Sequence, residues 1–346
     1  MPAAKMCTKA ICLLAMFSMV VLSAAAPAQA SDTVTIKFSH QNNAYDADQL
    51  LGETFKKLIE EKTNGAIKVK IYPGTLTHSE SEAMEFVKSG TVDMDTNSAG
   101  HIAGFDEDIQ FLQMPYLFKS HAHYVVARQS DVVKNILAGL EKKTGMIALG
   151  IYSDCNGFAI ASTKPINSIA DAKGVKLRCM QNPLFVDIYK KFGFSVTPTD
   201  WDELYTSLQT GLVDADDMGV YCNDIFKMSE VVSNYAILKQ MWTQKVLFIS
   251  PVTWNKLSAE QKELVRSVAN EAIELTDAWQ YAREDAAIAK AKKAGSTITY
   301  PDTTPFKEAS QEVYTEWFKK YPKWEKWYNE IQYLDPETRM PEAYKK

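Results

Sequence analysis

Val34, Ile36 and Phe38 alternate with Thr35 and Lys37, the period-two pattern of a half-buried strand. Polar residues 39–43 follow and predict a loop. Across residues 48–62 the apolar positions Leu50, Leu51, Phe55, Leu58 and Ile59 recur at helical spacing, and Asn64-Gly65 marks the stop. Ile67, Val69 and Ile71 resume the alternation. Residues 80–88 predict a second helix ended by Gly90, and residues 92–94 a short strand. This β-α-β-α-β order predicts a mostly parallel sheet covered by helices. Right-handed crossovers then gather the loops that follow the strands at one edge, where ligands bind in open α/β sheets.

The rhythm returns further along. Residues 158–161 read as a strand, 168–172 as a helical turn, and Val175 and Leu177 as the inward positions of another strand. Helices are predicted over 183–192 and over 201–210, the second ended by Gly211; Val213 then leads into an acidic turn. Two α/β modules joined by segments crossing near 151–157 and within 237–251 account for this repetition. Residues 259–294 are rich in Ala, Glu and Lys and predict one long helix that buries Leu264, Val268, Ile273 and Leu275. The aromatic series over 306–329 reads as packing, with Pro322 breaking its helix.

The N-terminus bears on location. Lys5 and Lys9, an apolar run over 10–22 and Ala28-Gln29-Ala30 form the pattern of an export signal, with cleavage expected near Ala30. No later stretch is apolar enough to span a bilayer, so the mature chain is expected in the periplasm without inserting into the membrane. The chain carries 38 basic and 43 acidic residues and has no basic block for a nucleic-acid backbone to follow. Beyond the leader stand Cys155, Cys179 and Cys222, an odd number that allows one bridge at most within the chain and leaves its pairing open.

Catalytic chemistry finds little support. His40, His78, His101, His121 and His123 form no His-Glu-x-x-His motif, and there is no Cys-x-x-Cys, Gly-x-Ser-x-Gly or Gly-rich phosphate cradle. Asp214-Ala215-Asp216-Asp217 offers either hard oxygen ligands or solvated loop carboxylates, and a periplasmic hydrolase working through such acids stays open. Arg178 is the residue that invites a binding role. In Gly174-Val175-Lys176-Leu177-Arg178 a strand holds it on one face, where its planar fork suits a carboxylate; a surface or interdomain ion pair is the bland alternative. Gln181 and Asn182 follow as amide ligands or as the cap of the helix beginning at Pro183.

Several segments in this order resemble the DctP-like extracytoplasmic solute receptors of TRAP transporters. They are residues 174–178, the run Trp201 through Asp214, the Phe55 to Gly65 stretch, Tyr72-Pro73-Gly74 and Gly90-Thr91-Val92-Asp93-Met94. The resemblance spans about residues 33–328. It implies a two-lobe α/β periplasmic binding protein fold with crossing strands and a long lobe-spanning helix. Lobe one is then 31–154 plus approximately 243–280, and lobe two is 155–242 plus approximately 281–346 with the C-terminal helices. Its activity would be high-affinity capture of an organic acid by lobe closure and delivery to a membrane-embedded, sodium-coupled TRAP permease, with no cofactor and no catalysis. Such a receptor is expected as a monomer, with a dimer as the alternative.

By this resemblance Arg178 is the carboxylate clamp. Phe158 stands where sialic-acid receptors of the family carry a second arginine, and Met218 where a ligand-touching asparagine is usual. An aromatic ring and a thioether in place of two polar contacts point to a monocarboxylate with an apolar or aromatic remainder. The alternatives are a C4-dicarboxylate, or a 2-oxo or 2-hydroxy acid bridged by a metal on Asp216, Asp217 and Gln244. Tyr152, Tyr221, Trp242, Asn97 and His40 fall near strand ends or crossing segments and complete the expected lining, each with a packing alternative.

Overall fold

The computed structural model describes residues 33–42, 46–77, 79–153 and 159–336. The export signal, Phe158 and Cys155 lie outside the described residues. From Val34 onward the chain is one compact unit built on two mixed sheets.

The first half supplies β1 (Val34–His40), α1 (Ala47–Lys62), β2 (Ile67–Pro73), α2 (Glu80–Ser89), β3 (Met94–Ser98) and α3 (Ala99–Ile102). Next come α4 (His121–Ala127), α5 (Asp131–Thr144) and β4 (Ile147–Ser153). The middle supplies β5 (Ala159–Ser162), β6 (Lys176–Cys179), α6 (Pro183–Lys191), β7 (Ser195–Pro198), α7 (Leu204–Gln209), β8 (Ala215–Asp216), α8 (Val220–Ile225) and β9 (Asn234–Ile237). The last part runs through β10 (Gln244–Ile249), α9 (Pro251–Trp254), α10 (Ala259–Lys293), β11 (Thr297–Thr299), α11 (Thr304–Lys320) and α12 (Pro322–Gln332).

The first sheet has the order β2-β1-β3-β10-β4 and the second β11-β9-β5-β8-β6-β7. The chain passes from the first sheet to the second between Ser153 and Ala159, and returns between Ile237 and Gln244. Both sheets are mixed rather than mostly parallel. β10 runs antiparallel between β3 and β4, and β5 runs antiparallel to β8 and β9, because the returning strands enter from the opposite direction.

One face of the first sheet buries Phe38 and Leu247 against Phe55 of α1 and Val268 of α10. Its other face, with Val246 and Phe248, joins a core that continues through Leu177, Tyr189 and Trp324. Helix α10 opens on a capping box between Ser258 and Gln261 and packs against α1 and β4, then against α8 and β11 further on. At 35 residues it is about 52 Å long, enough to touch both sheets. Val268 and Ile273 are buried as expected, but Leu275 is 49% exposed. It sits two residues beyond Ile273 and so faces away from it.

Two other expectations shift. The strand predicted at 92–94 forms at Met94–Ser98, where Asp95, Thr96, Asn97 and Ser98 are buried between β1 and β10. The helix predicted over 201–210 begins as a tight turn at Trp201–Glu203 and becomes α-helical only from Leu204. Pro322 does end one helix, standing at the start of α12. Among the described residues no helix is long and apolar enough to cross a membrane.

Candidate functional site

A cavity of about 680 Å³ is lined by residues of both sheets and their helices. Its second-sheet wall is organised by β6. Gly174, with φ at 82°, makes the turn that leads into this strand. Leu177 and Cys179 are buried in the core, while Arg178, between them, reaches the cavity and is 5% exposed. Nε and Nη2 of Arg178 both donate to the carbonyl of Thr199, at 3.1 and 2.8 Å. That carbonyl is itself placed by the Thr199 amide, which donates to the Cys179 carbonyl at 3.2 Å. The far edge of the guanidinium, Nη1 and the second Nη2 hydrogen, remains to receive a carboxylate end-on. Among the described residues Arg178 makes no ion pair.

Asp217 and Met218 line the same wall. Burial raises the Asp217 pKa, an effect opposed by the charge of Arg178 and by the Tyr189 hydroxyl. Tyr221 lies beside them, edge-on to Trp279 with ring centres 5.8 Å apart. Cys222, also in the lining, is disulfide-bonded, and Cys179 is a buried free thiol. Asp200, Trp201, Asp202 and Glu203 complete this side.

The opposite wall is polar. Ser98 caps α3 and donates its hydroxyl to Glu80 Oε2 at 3.1 Å, and His101 Nδ1 lies 2.5 Å from the same oxygen. Burial would raise the Glu80 pKa, but the hydrogen bond and charge of His101 bring it below the usual value. Burial would lower His101, yet Glu80 raises it overall. Asp46 caps α1 by accepting from the Gln49 amide at 3.1 Å. Burial, with the charge of Asp48, pushes its pKa up to about 8. Beside it the buried Lys245 holds Asp48 at 2.6 Å, and Tyr152 donates its hydroxyl to the same carboxylate.

The structure therefore brings Arg178, Asp217, Met218 and Tyr221 to one cavity. Among the described residues, the other expected ones are placed elsewhere. Asn182 caps α6 through the Leu184 amide at 2.8 Å and donates to the Gly100 carbonyl at 3.0 Å; Gln181 is exposed. His40 bonds Gln49 at 2.9 Å, and Asn97 donates to Asp95 at 3.0 Å. Trp242 stacks on Tyr124 at 5.3 Å, and Gln244 donates to the Trp242 carbonyl at 3.2 Å. Asp216 is fully buried, accepting from the Met218 amide at 2.9 Å, so of the three metal candidates only Asp217 lines the cavity. Glu80, His101, Asp46 and Lys245 were not singled out as ligands from the sequence. The sole signal for Glu80 and Asp46 was their position at the starts of helices that follow strands.

Comparison with known proteins places the chain in a family. The family model DctP, bacterial extracellular solute-binding protein family 7, matches residues 38–321. A sialic acid-binding periplasmic protein, SiaP of Vibrio cholerae, is 27% identical over 301 residues, covering 86% of this chain and 92% of that one. The 2,3-diketo-L-gulonate-binding periplasmic protein YiaO of Escherichia coli is 26% identical over 238 residues, covering 69% and 72%. A TRAP periplasmic solute-binding protein of Pseudomonas putida F1, solved with bound D-glucuronate, superposes with a TM-score of 0.81 at 27% identity, covering 87% of this chain and 98% of that one.

Proposed function

Because this chain belongs to bacterial extracellular solute-binding protein family 7, a family of non-catalytic transport receptors, we propose that it captures a hydroxylated organic acid in the periplasm. It is a periplasmic receptor for a TRAP-type transport system. The acid is then handed to a sodium-coupled permease.

The observation that carries the reading is the free end-on edge of Arg178, facing a cavity whose opposite wall offers Glu80, Ser98, His101 and Asp46. A carboxylate at the arginine satisfies its remaining donors, and hydroxyls on the adjacent carbons both donate to and accept from the facing side chains. An apolar remainder would desolvate those groups while leaving their remaining hydrogen-bonding capacity unmet. The cavity wall therefore favours a hydroxylated acid over a monocarboxylate with an aromatic tail, without the metal bridge of the 2-oxo or 2-hydroxy-acid alternative, because Asp216 and Gln244 do not line the cavity. Met218 supports the tail, but Phe158 lies outside the described residues. Relatives bound to or named for D-glucuronate and 2,3-diketo-L-gulonate favour the same choice.

A thermal-shift screen of the mature protein tests it. D-Glucuronate, D-galacturonate, L-gulonate and D-erythronate are compared with benzoate and succinate. A rise in Tm with one of the first four and none with benzoate supports the reading. The reverse order defeats it.

A further inference from the structure

The helix that carries His101 is pressed against the strand end that carries Arg178. The Gly100 carbonyl of α3 accepts from the Asn182 side-chain amide at 3.0 Å, and a Cβ on Gly100 would overlap Met180 Sδ. Met180 is two residues past Arg178, and both line the cavity with His101. The charge of Arg178 acts on the His101 ring, and so does that of Asp200 on the same side.

The hydrogen bonding of His101 fixes what it can show the cavity. Nδ1 faces Glu80 Oε2 at 2.5 Å and the Ser98 hydroxyl oxygen at 2.9 Å. The Ser98 proton is already directed to Glu80, so Nδ1 must carry a hydrogen. A neutral ring then presents Nε2 as a bare lone pair, which repels a carboxylate. Only the imidazolium presents an N–H there. With 37% of its side chain exposed, His101 is open to the cavity.

Building on the receptor reading above, we propose that His101 is a second anion contact, opposite Arg178, so that ligand capture takes up a proton and the carboxylate joins the two walls. Without an anion the imidazolium and guanidinium oppose each other. A carboxylate between them reverses the sign of that interaction, which selects acids over neutral sugars. Glu80 is a positioning residue: it orients the ring and favours its charged form. The charged groups facing the ring are Glu80 from α2, Arg178 from β6 and Asp200 from the turn after β7.

Two measurements on the mature full chain separate this proposal from the receptor reading. First, the His101 titration is followed by NMR in ligand-free protein and in Arg178→Gln. The proposal expects the midpoint to rise in the variant, and an unchanged midpoint overturns it whatever the ligand is. Second, D-glucuronate is titrated calorimetrically at several pH values in buffers of different ionisation enthalpy. Wild type should take up a fraction of a proton that grows as pH rises toward and past the ligand-free His101 midpoint, with affinity falling over the same range. His101→Gln should weaken binding roughly 10- to 100-fold at low pH and abolish the proton uptake. Glu80→Gln should move the affinity loss to lower pH. Wild-type binding that His101→Gln leaves unchanged in affinity and pH slope overturns the proposal and leaves the receptor reading standing. If neither D-glucuronate nor any other hydroxylated acid binds the wild type, both readings fall together.

Discussion

Arg178 is docked on the carbonyl of Thr199 through Nε and Nη2, at 3.1 and 2.8 Å, and this contact aims its remaining edge into the cavity. An ammonium has no planar fork with which to hold the carbonyl and the ligand at once. Arg178→Lys is therefore expected to weaken acid binding nearly as much as Arg178→Ala, by about 2–5 kcal/mol. Calorimetry on both variants checks this, and wild-type affinity in the lysine variant would contradict it.

Lys245 and Asp48 form a buried ion pair at 2.6 Å, their side chains 7% and 1% exposed. Removing one partner leaves an uncompensated charge, so Asp48→Ala should cost about 3–5 kcal/mol of stability by urea denaturation. Despite burial, the charge of Lys245 and then that of His40 hold the Asp48 pKa below its usual value. Its contribution is accordingly present above the unfolded pKa and lost as pH falls through the lower folded one.

Asp46 has the opposite sign. Burial and the neighbouring Asp48 raise its folded pKa to about 8. The folded state then holds a proton that the unfolded chain has released, and stability declines as pH rises from the unfolded pKa to about 8. Asp46→Asn keeps an N-cap oxygen for Gln49 while removing the titration. Relative to wild type, this variant should gain stability between pH 5 and 9, measured by denaturation at each pH.

Gly100 and Met180 should couple. A Cβ on residue 100 displaces the Met180 thioether, and overpacking of this kind typically costs 1–3 kcal/mol. Gly100→Ala alone should destabilise the protein, and Met180→Ala should relieve part of that loss. A double-mutant cycle with no interaction energy would show that the two walls do not press on each other here.

Much of the fold was legible because its elements are locally consistent. The alternation of Val34, Ile36 and Phe38, and the uninterrupted helix former-rich run that became Ala259–Lys293, needed no tertiary information. The placement of Arg178 on a strand was legible for the same reason, from the Val175 and Leu177 alternation that precedes it. Strand β3 was hidden because Asp95, Thr96, Asn97 and Ser98 read as a loop, and only pairing with β1 and β10 makes them a strand. The facing wall was hidden by distance along the chain. Glu80 and His101 meet through α2 and α3, and Lys245 reaches Asp48 across 197 positions. No local pattern encodes either encounter. Asn182 was open to two readings, and the structure uses it as the α6 cap and a tie to Gly100.

The most direct test of the central claim is isothermal titration of the mature protein and of Arg178→Ala with the hydroxylated acid that gives the largest thermal shift, and with benzoate. The account predicts one-to-one binding of the hydroxy acid, weaker or absent binding of benzoate, and a loss of about 2–5 kcal/mol in the variant. Tighter binding of benzoate, or undiminished affinity in Arg178→Ala, would contradict it.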